Sequence, residues 1–105
     1  MISIQEGSSN VYADLGLAEA DEMLVKAQLA TKISELIKRR RLTQAKAAKL
    51  LGMPQPKVSA MLRGQFRGIS EDRMLRCLVA LDQRVKIVIE PATPGQNGSL
   101  SVAAR

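Results

Sequence analysis

A chain of 105 residues with 46% apolar content fits one small domain, whose modest core would gain from association with a second copy. It has no histidine, one cysteine (Cys77), no run of about 18 apolar residues and no signal-peptide start. Intrachain disulfides, a multi-cysteine zinc site, a cofactor, histidine-based catalysis and a membrane anchor are therefore not expected, and the expected location is the cytoplasm. The net charge of +6 conceals two opposite surfaces: residues 1–25 carry five carboxylates and no Lys or Arg, whereas residues 26–90 carry fifteen basic and five acidic residues. Such a basic body attracts a polyanion, nucleic acid above all, and the acidic stretch attracts a basic protein; an ordinary solvated surface is the plain alternative for each.

Residues 1–17 read as an N-terminal arm. "GSSN" is loop-forming, yet Tyr12, Leu15 and Leu17 are large apolar groups in a chain with only two aromatic residues. With Asp14 beside them they either anchor a partner protein or fold back over the first helix. From about Glu19 to Arg40 the spacing of Met23, Ala27, Ala30, Ile33, Leu36 and Ile37 predicts a helix facing a core. Its end, Lys38 to Arg41, suits the negative end of the helix dipole, and Arg40 and Arg41 are equally candidates for DNA phosphate. A second helix begins at Thr43, whose hydroxyl can cap its first turn, and runs to Leu51 with Ala47, Ala48 and Leu51 inward, until Gly52 stops it. A third runs from near Gln55 to about Arg63, tolerating proline in its first turn, and Gly64 ends it. Phe66 and Ile69 cover the core edge, and Ser70 caps a fourth helix with Met74, Leu75, Leu78 and Leu81 inward and Cys77 a buried structural thiol.

"VKIVIE", residues 85–90, is the one convincing strand. A lone strand needs a partner, and the simplest is the same strand of a second copy, with Leu78, Leu81, Val85, Ile87, Val88 and Ile89 as the dimerising set. Residues 91–105 read as a flexible tail; a hairpin returning through "SLSVA" is the weaker option. The expected organisation is thus an arm (1–17), a DNA-binding domain with its strand (18–90) and a tail.

On a helical wheel the third helix turns Val58, Met61 and Leu62 one way and Pro56, Ser59, Ala60 and Arg63 the other, with Gln55 and Lys57 on the flanks. That outward face carries no carboxylate and includes small groups, which suits a surface pressed into a DNA major groove. There Gln can pair with adenine, Arg with guanine, Ser with several edges, and Pro and Ala can touch a thymine methyl. Lys57 would meet phosphate, and Thr43 and Gln44 lie at a helix start where donors commonly hold one.

Residues 42–64, with their Leu-Thr-Gln opening, Ala47-Ala48, Leu51-Gly52, Val58-Ser59 and Leu62-Arg63-Gly64, resemble the helix-turn-helix of the phage-repressor-like, or XRE, family. "NVYADLGL", "QPKVSAMLRG" and "VKIVIEP" look like the HigA-type antitoxin branch, over roughly residues 10–91. The resemblance implies an all-α, lambda-repressor-like bundle of four to five helices with a short C-terminal strand paired across a homodimer on a palindromic double-stranded operator. Gln44 falls on the phosphate-clamping glutamine, and Gln55, Pro56, Ser59 and Ala60 fall on base-facing positions. Pro56 and Ala60 depart from the long polar residues common there, which shifts weight to DNA shape and phosphate contacts. The branch also implies a small basic toxin of the RelE/HigB type as partner. Three other readings stand beside an autoregulating antitoxin: a regulator without a toxin, a protein-interaction module with weak DNA binding, and an RNA-binding protein. The last lacks the exposed aromatic residues on which bases stack.

Overall fold

The computed structural model describes residues 17–104, which form four helices and no strand: α1 (Leu17–Arg39), α2 (Gln44–Leu51), α3 (Gln55–Leu62) and α4 (Glu71–Ala80). Tyr12, Asp14 and Leu15 of the arm lie outside the described residues; Leu17 opens α1. The chain divides into two compact units. One takes the described residues 17–25 and 86–104, the other residues 26–85.

Local chemistry explains where α2 and α4 begin. The Thr43 hydroxyl accepts the Lys46 N–H at 3.1 Å and the Ser70 hydroxyl accepts the Arg73 N–H at 3.0 Å, each satisfying a donor that has no partner inside its helix. All four helices end in the same way. A residue at the cap or just after it takes a left-handed backbone, at Arg41 (φ 55°), Gly52 (66°), Gly64 (86°) and Asp82 (63°). The next N–H then returns to a carbonyl five residues back: Leu42 to Ile37 at 3.0 Å, Met53 to Ala48 at 3.0 Å, Gln65 to Ala60 at 2.8 Å and Gln83 to Leu78 at 3.0 Å. These are Schellman motifs, which occupy the last free carbonyls of each helix. Glycine makes two of them without strain; Arg41 and Asp82 make the other two against the Cβ clash of an L-residue.

In the unit 26–85, α2 lies against both α3 and α4. Ile33 of α1, Ala47 of α2, Val58 and Met61 of α3, Met74 of α4 and Leu81 beyond it are fully buried, with Phe66 and Ile69 closing the core from the α3–α4 loop. Each of these side chains larger than alanine contributes about 1.5–3 kcal/mol of hydrophobic stabilisation. The expected inward stripes hold with three shifts: Ala27, Leu62 and Leu75 are half-buried rather than buried. Beside Ala27, Lys26 is buried instead, and its ammonium donates to the Arg67 carbonyl at 3.1 Å, tying α1 to the α3–α4 loop. Such a charge inside a fold needs a hydrogen-bonding partner.

The expected strand at 85–90 is not formed. Among the described residues no segment offers it a backbone ladder, and Ile87, Val88 and Ile89 are 77%, 75% and 92% exposed. A strand requires a neighbour, and the described residues do not supply it. Leu78 and Leu81, expected at a dimer contact, are buried in the chain's own core; Val85 is half-buried. Residues 91–104 carry no helix or strand, only a turn closed by the Gln96 N–H on Thr93 O at 2.9 Å.

Candidate nucleic-acid interface

Residues 36–70, from the end of α1 to the cap of α4, contain nine Lys and Arg and no Asp or Glu. Every helix start and turn of α2 and α3 lies inside this stretch. Gln44 is the first residue of α2 and is exposed; Thr43, also exposed, already has its hydroxyl occupied by the cap, so its remaining contribution to an anion is partly that of the helix start it stabilises. The α2–α3 turn is fixed twice. Gly52 supplies the left-handed conformation, and the Arg73 guanidinium of α4 donates to the Gly52 carbonyl. Pro54 caps α3 without a side-chain bond, while Pro56 occupies a first-turn position whose missing N–H costs nothing.

From that start α3 buries Val58 and Met61 and turns Gln55, Pro56, Lys57 and Arg63 to solvent; Ser59 and Ala60 are half-buried along the same outward side. The face is therefore raised at both ends by longer residues and low in the middle. Lys57 stands over a shallow depression that Ile69, Ser70 and Arg73 also line, so the base of the face is cationic as well. At the far end the Arg63 guanidinium donates from Nη1 to the Ser59 hydroxyl and from Nη2 to Gln65 Oε1 at 3.3 Å.

The structure thus places Gln44 on α2, Gln55, Pro56, Lys57, Ser59 and Ala60 on α3 and Arg63 at the α3 cap, and Arg41 remains exposed. Arg40, also exposed, is tied into the fold through one guanidinium nitrogen. That nitrogen donates to the Leu81 carbonyl at 2.9 Å and pairs with the Asp82 carboxylate, which joins the ends of α1 and α4. Sequence reasoning missed Gln65 and Arg73. The signal for Gln65 was available, since a residue just past a helix-ending glycine is folded back over the last turn; nothing in the sequence marked Arg73 as a partner of Gly52.

Burial pushes the Cys77 thiol above its ordinary value, with Arg73 opposing, and the thiol sits 3.6 Å from Met53 Sδ. It lies in the core and takes no part in the outward face.

A family model described as a helix-turn-helix domain matches residues 11–90. The chain belongs to the helix-turn-helix family. A solved structure given provisionally as an XRE-family transcriptional regulator is similar to it, with 41% identity and a TM-score of 0.79 over 83% of this chain and 99% of the other. No curated protein matches the chain. This helix-turn-helix protein is a transcription regulator of the XRE type, a class that binds DNA and is not enzymatic. No described helix of this regulator is long and apolar enough to cross a membrane.

Proposed function

We propose that the protein is a dimeric repressor that binds a palindromic operator. Gln55, Pro56, Ser59 and Ala60 of α3 and Arg63 at its cap face the bases, and Thr43, Gln44, Lys57 and Arg41 hold phosphates. The observation that carries this reading is the carboxylate-free, nine-cation stretch 36–70 around an outward α3 face of polar and small side chains. Dimerisation is supported by the apolar run Ile87–Ile89, at least three-quarters exposed in the single chain, which pairing with the same run of a second copy would cover. Two copies would then set their α3 helices roughly 34 Å apart on one side of the duplex.

The test is binding of the purified protein to the DNA upstream of its own gene, against scrambled DNA of equal length, across a salt titration. Selective binding with two protomers per site is expected. Equal affinity for both DNAs, disappearing with modest salt, would reduce the basic surface to non-specific phosphate attraction.

The acidic segment 1–25, opposite in sign to the body, favours a second role as the antitoxin of a HigA-type pair. In this reading Tyr12, Asp14, Leu15 and Leu17 engage a small basic toxin, and the complex represses its own operon. Co-expression with the product of the adjacent open reading frame distinguishes the two: a stable complex supports the pair, and separate elution leaves a stand-alone regulator.

A further inference from the structure

The end of α3 holds a polar arrangement that base readout alone does not use. Arg63 is the cap residue, and Gly64 reverses the chain so that the Gln65 N–H bonds Ala60 O at 2.8 Å. That bond pins the Gln65 backbone beside the last turn, and its side chain reaches the Arg63 guanidinium from outside the helix while Ser59, one turn earlier, reaches it from within. Arginine has only donors, so both neighbours must accept. The Gln65 carbonyl oxygen therefore faces Arg63 and its NH2 points away. A guanidinium bracketed on two sides keeps N–H groups to spare in a fixed plane, and part of the cost of ordering a flexible side chain is met before any ligand arrives.

Building on the base-reading role of α3 proposed above, we infer that Gln65 is a positioning residue for Arg63. It lies beyond the reading helix, and its effect is on which base pair is preferred at the site Arg63 reads. Ser59 is the second holder, its hydroxyl oxygen occupied by Arg63. The bracket is neutral by necessity: a carboxylate at position 65 would bind the guanidinium more strongly and set a negative charge against phosphate.

The experiment is selection of bound sequences from a random duplex pool by the full chain, comparing the unaltered protein with Arg63→Ala, Gln65→Ala and Gln65→Glu. The Nε–H resonance of Arg63 is recorded for each folded variant that retains Arg63. Arg63→Ala identifies the base pair that loses preference. Gln65→Ala is expected to lower preference at that same base pair about five-fold or more while leaving the others within two-fold, and to shift the Arg63 resonance. Gln65→Glu is expected to lower affinity for all sequences. An unchanged preference in Gln65→Ala, with the motif of the unaltered protein intact, would overturn the positioning role alone. A general loss of affinity with preferences preserved would also overturn it, as a merely structural effect. Absence of any motif for the unaltered protein would instead overturn base readout itself, and this inference with it.

Discussion

Because four helices end in the same motif with two glycines and two non-glycines, exchanging the residue types gives predictions of opposite sign. An added Cβ at Gly52 meets nothing within 4 Å, so Gly52→Ala carries no steric term from its surroundings. The whole cost is that of holding an L-residue at φ 66°, about 1–2 kcal/mol, reduced by the about 0.4–1 kcal/mol that alanine gains by restricting the unfolded chain. Gly52→Ala should therefore destabilise the protein by about 1 kcal/mol. Arg41 already bears that strain at φ 55°, so Arg41→Gly should stabilise by up to about 1 kcal/mol, and Arg41→Asn, which tolerates the conformation better than most residues, by a few tenths. Urea unfolding followed by circular dichroism reads both. Thermal scans should move by about 4–8 °C per kcal/mol for a domain of this size. A destabilised Arg41→Gly, with Arg41→Asn equally destabilised, would show that the Arg41 charge outweighs its backbone and refute the reasoning.

Three further outcomes follow from the core and the helix ends. Met61→Ala, which empties a fully buried site beneath the outward face of α3, should cost about 2–5 kcal/mol in urea unfolding. A double-mutant cycle on Arg40 and Asp82 should return only about 0.2–1 kcal/mol, because the Asp82 side chain is 82% exposed; a larger coupling would mean that the Leu81 carbonyl bond depends on the pair. The Cys77 thiol keeps its proton longer in the folded protein, so its contribution is fully present below the ordinary value of 9.0, falls as pH rises through it, and levels off once the folded thiol ionises. Cys77→Ser should flatten that decline in stability measured between pH 8 and 10.5, and the native thiol should resist alkylation until the protein unfolds.

Much of this architecture could be read from residue types whose effect is local. Thr43 and Ser70 announce helix starts, Gly52 and Gly64 announce helix ends, and the wheel of α3 separates Val58 and Met61 from Arg63, because caps and periodicity act within a turn or two of chain. What could not be read is what depends on distant chain. Nothing near Arg41 or Asp82 marks them as left-handed, since their conformation follows from helices that stop there without glycine. The burial of Lys26 rests on the Arg67 carbonyl, forty-one residues away in sequence, and no local pattern announces it. Arg40 similarly stands in a basic cluster, and nothing there announces its pairing with Asp82. The 85–90 segment shows the converse limit: its composition favours a strand, but strand formation is a property of pairs, and composition does not specify the mate.

The clamp from Arg73 to the Gly52 carbonyl has an evolutionary consequence. The α2–α3 turn is held from behind, by Arg73 of α4 on the Gly52 carbonyl, while Gln55, Pro56 and Lys57 face solvent. Exposed positions of that kind usually change at a cost within about 0.5 kcal/mol. If α3 reads bases as proposed, a lineage could rewrite the target sequence of this protein by drift along one side of α3, with Ser59 and Ala60 confined to small residues by their partial burial and the scaffold behind them left alone.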